Sequence, residues 1–458
     1  MISGKPYDWR KTKEPEKPYN FDYSKTLTMK MFLSIPDEQH KKTIVHANFE
    51  KALEYIKAVD KITLGVPKII YLVGWQYLGH DSGYPAFFEV NEALKRDCDA
   101  TARDSLLWLM EEAYKYNTTV SLHINMYDAY KNSPLWELYV EKGLICLDEN
   151  KNLYKAGFWN GQQAYAISYK REWDCGFAQR RIDKLLELLP IERAGTIHID
   201  AFHCRPDVGH GLTLSDSHEG RLKIIRYFRS KGIDVTSEYL YYDTDKGEPK
   251  TEHLVGVVPL AYHLSQSLID YMSRPASLLC GCDTTHRIKE CESKDMSLLF
   301  GESIDGESIW LNSKNYKLDF LRDFCTKFLK FRFLNSLERL SATVTPDGVS
   351  VNFTKNVATY LGEDRLTING VTAKAGNELV LPTDWYEKNT AVVYTEKGGQ
   401  VDWNLSKILG FASTQNIELT ELTEDGLSDK KRMLQLNDGM LQLDLEPNKP
   451  AAFLISRM

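Results

Sequence analysis

Between residues 46 and 340 the apolar positions switch repeatedly between two periods. Phe49, Leu53, Ile56 and Val59 recur every three or four residues, the spacing of one buried helix face. Gly65-Val66-Pro67 breaks that rhythm, and the short apolar run at 69–73 reads as a strand. A helical stretch follows at about 100–116, with Leu106, Leu107, Leu109 and Met110 as core candidates. Residues 118–125 and 164–169 read as strands, 177–189 as an amphipathic helix, and 196–202 as a strand. Residues 219–231 read as a helix stopped by Gly232, and 234–240 as a strand. Further strands are expected at 256–260 and 277–281, and a helix at 320–334 closes the series. Strand followed by helix, repeated this often, predicts an α/β architecture. The length matches the roughly 250 residues of a (β/α)8 TIM-type barrel. A doubly wound sheet would have the same element order, but no G-x-G-x-x-G follows any of these strands.

The texture changes near Ser341. Alternating segments on either side of Asp347-Gly348 predict a hairpin, and 366–372 and 442–445 continue the alternation. The expected organisation is an N-terminal arm at 1–45, a catalytic (β/α)-barrel at 46–340 and an antiparallel, β-sandwich-like domain at 341–458.

Charge narrows the partners. Lys and Arg number 57 against 64 Asp and Glu, a net charge of -7. That gives no footprint for nucleic acid or an anionic membrane. No run approaches the roughly 20 apolar residues that cross a bilayer, and the first residues lack the apolar core of a signal peptide. A soluble protein is expected, and its location and oligomeric state stay open. Eight cysteines are thinly scattered, and Cys280 and Cys282 lack the spacing of a zinc site. The 9 Trp, 25 Tyr and 18 Phe suit a pocket that stacks on sugar rings, although core packing uses the same residues.

Barrel active sites lie at the C-terminal ends of the strands. The expected strand ends carry Trp75, Gln76, His80 and Asp81, then His123, Asn125 and Asp128, then Asp200, His203 and Arg205, then Glu238. Asp200 closes an otherwise apolar strand. A carboxylate there can attack an anomeric carbon, or it can cap a helix or pair with Arg205. Glu238 lies 38 residues on (238 − 200), one βα unit away, where it could protonate a leaving oxygen or form a buried ion pair. Two such carboxyl groups stand roughly 5–5.5 Å apart in retaining and 6.5–9.5 Å in inverting glycosidases. Trp136, Trp159 and Tyr165 are candidate pocket aromatics. His203, Asp207 and His210 could be ligands on one loop, but they lack the spacing of a zinc hydrolase, so no metal and no cofactor is expected.

The run 71–85, Tyr-Leu-Val-Gly-Trp-Gln-Tyr-Leu-Gly-His-Asp-Ser-Gly-Tyr-Pro, resembles the first-strand region of glycoside hydrolase family 101, the endo-α-N-acetylgalactosaminidases. His123-Ile-Asn-Met-Tyr-Asp-Ala-Tyr130, Ile197-His-Ile-Asp200 and Val235-Thr-Ser-Glu238 are similar too, so the resemblance runs over roughly 60–340. It implies a retaining enzyme that releases Gal-β1,3-GalNAc from serine or threonine of an O-glycan. It implies Asp200 as nucleophile, Glu238 as acid/base and Asp81 as the grip on sugar hydroxyls. The expected substrate contacts are Trp75, Gln76, His80, Asp81, His123, Asn125, Trp159, Tyr165, His203 and Arg205. The expected partner is a carbohydrate or glycopeptide. Two other readings stand beside this one: an exo-acting α-galactosidase or α-N-acetylgalactosaminidase, and a carbohydrate-binding barrel without catalysis.

Overall fold

A computed structural model describes residues 2–3, 19–37, 42–239, 257–263, 298, 303–304, 306–345 and 348–458. Its centre is a parallel sheet of six strands. In chain order these are β1 (Leu27–Phe32), β2 (Lys68–Val73), β3 (Thr118–Asn125), β4 (Thr196–Asp200), β5 (Asp234–Tyr239) and β6 (Val257–His263), and they neighbour one another in that same order. Every adjacent pair is parallel. Strands of such a sheet are covered on both faces, so they read as apolar runs, and β2 is buried at all six positions.

Helices connect the strands. Helix α1 (Phe49–Ile62) joins β1 to β2, α2 (Ala102–Ala113) joins β2 to β3, α3 (Phe177–Leu188) lies between β3 and β4, and α4 (Leu214–Ser230) joins β4 to β5. Thr101 with Asp104 and Thr213 with Asp216 form capping boxes that satisfy the first free amides of α2 and α4. The sheet thus forms the curled half of a barrel, mixed with helices.

Two differences from the sequence reading have clear causes. The sheet begins inside residues 1–45, which were set apart as an arm, because Leu27–Phe32 pairs with Lys68–Val73. The strand expected at 164–169 is Gln162–Ala166, and it pairs antiparallel with Lys155–Trp159 and Asp128–Ala129, outside the parallel sheet. Asn160 and Gly161, both at positive φ (43° and 78°), make the two-residue turn of that hairpin, which needs left-handed backbone at both positions. The strand expected at 277–281, the pair Cys280 and Cys282, and Asp347 lie outside the described residues.

The C-terminal part is one antiparallel sheet running from Arg339–Thr345 to Ala451–Arg457, whose far edge adds Asn416–Thr423 and Gly426–Gln435. Ile2–Ser3 pairs with Ala342 and Ser341 at its other edge. The helix expected at 320–334 is a continuous helical run, Tyr316–Asp323, Phe324–Phe328 and Leu329–Asn335, with a π turn in the middle. No helix among the described residues is long and apolar enough to cross a membrane.

Candidate active site

Side chains two apart on a strand share a face, and parallel register lines them up across neighbours. His198 pairs in register with His123 on one side and Thr236 on the other, and Asp200 pairs with Asn125. His123, His198 and Thr236 therefore form one polar row, and two residues further on Asn125, Asp200 and Glu238 form the next. Buried polar rows cost free energy unless their hydrogen bonds are made, so such rows inside an apolar sheet mark a site.

The second row opens into a cavity of about 220 Å³ lined by Asp200, Glu238, His80, Asp81, Asp128 and Trp159, with Tyr127, Ala156, Ala201 and His203 completing it. Ala201 turns the chain out of β4 with φ 47°. Gly74 does the same after β2, and it must be glycine: a Cβ there would lie 2.0 Å from the Ser34 carbonyl oxygen. The loop it starts brings His80 and Asp81 over the strand ends. The 155–166 hairpin closes the other side. Its turn residue Asn160 donates to Asp81 Oδ2 at 3.0 Å, and Trp159, half exposed, lies against Gly157, where a Cβ would meet the indole at 2.6 Å.

One buried ion pair supports both walls. The Arg181 guanidinium, on α3, bonds Glu172 at 3.0 Å and also donates to the Pro85 and Met126 carbonyls, each at 3.2 Å. Pro85 ends the Asp81 loop and Met126 begins the loop that carries Asp128. Tyr139 donates to the same Glu172 at 2.6 Å.

The electrostatics separate the two central carboxyls. Burial raises the Asp200 carboxyl well above the usual range, and the neighbouring Glu238 and Asp81 carboxylates add to this. Burial also pushes Glu238 up. The Lys30 ammonium, with His198 and His123, outweighs that and holds it well below the usual range. Lys30, buried on β1, donates to Glu238 Oε1 at 2.8 Å and also pairs with Glu307. The two acids interact directly and titrate as a pair, so the resting pair carries its proton on Asp200. Asp128 is raised to about 7 by burial and by Asp81, against a hydrogen bond from Asn125 of 2.8 Å. His123 and His198 are lowered, first by burial, and are neutral near pH 7. His198 Nδ1 lies 2.8 Å from the Thr236 hydroxyl.

Of the expected substrate contacts, His80, Asp81, Trp159 and His203 line the cavity with Asp200 and Glu238. His123 stands behind it, its Nε2 3.8 Å from Asp200 Oδ2. Asn125 shapes the loop by accepting from the Tyr127 and Asp128 amides, both at 2.8 Å. Besides His123 and Asn125, four more expected contacts line no part of the cavity. Trp75 is fully buried, donating to the His123 carbonyl, and Gln76 is fully buried beside it. Tyr165 packs on Trp136 in a separate apolar cluster. Arg205 stacks on Tyr154. Lys30 and the row partner His198 were missed. The signal for Lys30 was a lysine amid the apolar residues of 27–32.

Paired carboxyls at the C-terminal edge of a parallel sheet, in a cavity with an aromatic wall, are an arrangement suited to glycoside hydrolysis. Residues 33–248, a little under half of the chain, match the family model described as endo-alpha-N-acetylgalactosaminidase. Among solved structures, the ligand-free alpha-N-acetylgalactosaminidase NagBb from Bifidobacterium bifidum aligns at TM-score 0.51 and 12% identity, over 75% of this chain and 57% of that one. Its complex with Gal-NHAc-DNJ aligns at TM-score 0.50 and 11% identity, over 73% and 57%. At such identity the likeness is one of fold, and this chain spans little more than half of that protein's length. No curated protein sequence matches.

Proposed function

We propose that the protein is a retaining α-glycosidase acting on α-linked N-acetylgalactosamine in O-glycans of the Gal-β1,3-GalNAc-α-Ser/Thr type, and that its six-stranded sheet belongs to a complete (β/α)8 barrel. The observation that carries the reading is the pair Asp200 and Glu238, in contact at adjacent strand ends inside one cavity. Asp200 attacks the anomeric carbon as the glycosidic bond breaks, and Glu238 gives its proton to the leaving oxygen. Glu238 then takes a proton from water, whose oxygen attacks the same carbon and frees Asp200. Asp81 and His80 receive sugar hydroxyls, and Trp159 covers a sugar face.

This assignment needs the pair's single proton on Glu238, whereas the resting charges favour Asp200. The hydrogen bond between the two carboxyls is the path by which that proton passes from Asp200 to Glu238. Lys30 also favours a second reading, in which the ionised Glu238 attacks and Asp200 protonates. Both readings keep the same two residues and the same stereochemical outcome.

Two chromogenic α-glycosides test the substrate, one carrying Gal-β1,3-GalNAc and one GalNAc alone. Release from the disaccharide alone is expected. Release from the monosaccharide would make the enzyme exo-acting. No turnover of either by folded protein would refute the substrate class and leave the non-catalytic barrel.

A further inference from the structure

His80, His123 and Asp200 each present a ligand atom within 4.8 Å of the others. His123 Nε2 stands 3.8 Å from Asp200 Oδ2, and His80 Nε2 stands 3.4 Å from Asp81 Oδ2, so Asp81 flanks the three-residue cluster without belonging to it. A four-coordinate zinc ion at about 2.0–2.2 Å from each ligand places the ligand atoms roughly 3.3–3.6 Å apart. The cluster reaches that geometry by closing about 1 Å, within side-chain motion. His123 is buried, and its Nδ1 has no hydrogen-bond partner. His80, Asp81 and Asp200 line the cavity, so an ion can enter. The neighbouring set of His123, His198 and Glu238 is disfavoured, because the Lys30 ammonium already sits on Glu238.

We propose that His80, His123 and Asp200, with water in the remaining position, form a binding site for a divalent transition-metal ion of the zinc type, which blocks the sugar cavity reversibly. Resident zinc sites fix each histidine through its second nitrogen. The Nδ1 atoms of His80 and His123 lack such partners, so the ion is exchangeable. It is a regulator or inhibitor of the site, not a cofactor. Ion binding stands on the ligand cluster itself, and only its effect on turnover rests on the glycosidase reading.

The test is titration of the untagged, chelator-treated chain with Co(II), followed by the visible absorption of four-coordinate cobalt, then by competition with Zn(II). One equivalent of band is expected, displaced by zinc and unaffected by Mg(II) or Ca(II), which prefer oxygen shells of higher coordination. His123→Ala and the loop variant His80→Ala should each weaken binding at least tenfold, since losing even a supporting partner costs 10–100-fold. His210→Ala, whose imidazole pairs with Asp207 on another loop, should leave it unchanged. Circular dichroism verifies folding, and His80→Ala decides the matter if His123→Ala does not fold. No band, displacement by calcium, or full binding in His80→Ala would each overturn the proposal. None of these outcomes depends on glycoside turnover.

Discussion

Asp128 makes the stability of the protein fall as pH rises. Its side chain is buried, its Oδ1 has no hydrogen-bond partner, and its pKa is raised from 3.8 to about 7, first by burial and then by Asp81. Between those two values the folded state holds a proton that the unfolded state releases, so stability drops through this window and levels off above it. At 1.36 kcal/mol per pH unit the full effect is on the order of 4 kcal/mol, of which about 2–3 kcal/mol develops between pH 5 and pH 8. Asp128→Asn keeps the shape of the neutral acid and removes the titration. Asp200 and Asp234 are raised as well, but they are present in both proteins and cancel in the difference. Urea unfolding of wild type and variant at pH 5 and pH 8 measures it. The variant should gain on wild type by about 2–3 kcal/mol on going from pH 5 to pH 8. A difference that stays constant to within about 0.5 kcal/mol would refute the buried, protonated Asp128.

Two further outcomes follow from the same geometry. Arg181→Met leaves Glu172 charged in the interior and frees the carbonyls of Pro85 and Met126. It should cost about 3–5 kcal/mol in stability, and thermal unfolding reports it. Trp159→Ala removes a half-exposed ring from the cavity wall. It should raise KM by about tenfold, the size of a lost stacking contact of 1–2 kcal/mol, with Tm within about 2 °C of wild type.

The parallel strands were legible because their apolar runs are short, bounded by Gly or Pro, and separated by segments of helical period. The polar row at the cavity was legible for the same reason: a polar residue closing an apolar strand stands out, and Asp200 and Glu238 both do. Lys30 did not stand out, since the polar segment before it hid the strand to which it belongs. Its partner Glu307 lies 277 residues further on (307 − 30), a contact that local pattern cannot reveal. Trp75 and Tyr165 failed in the opposite direction. An aromatic beside a strand end serves core and pocket equally well, and only packing places Trp75 beneath the site and Tyr165 in a separate cluster. The Asn160-Gly161 turn was legible in principle. It marks a hairpin, and reading it would have removed 164–169 from the parallel sheet and set Trp159 at the cavity mouth.

The central claim is that Asp200 attacks the sugar and Glu238 protonates the leaving group, with overall retention. Azide rescue tests it most directly. Asp200→Ala and Glu238→Ala are incubated with an aryl α-glycoside of an activated phenol in the presence of azide, and the anomeric configuration of the product is read by NMR. The account predicts a β-glycosyl azide from Asp200→Ala, because azide replaces the lost nucleophile in a single inversion. It predicts an α-glycosyl azide from Glu238→Ala, because azide intercepts an intermediate still formed on Asp200. The opposite pair of products would contradict the account and give the nucleophile's role to Glu238.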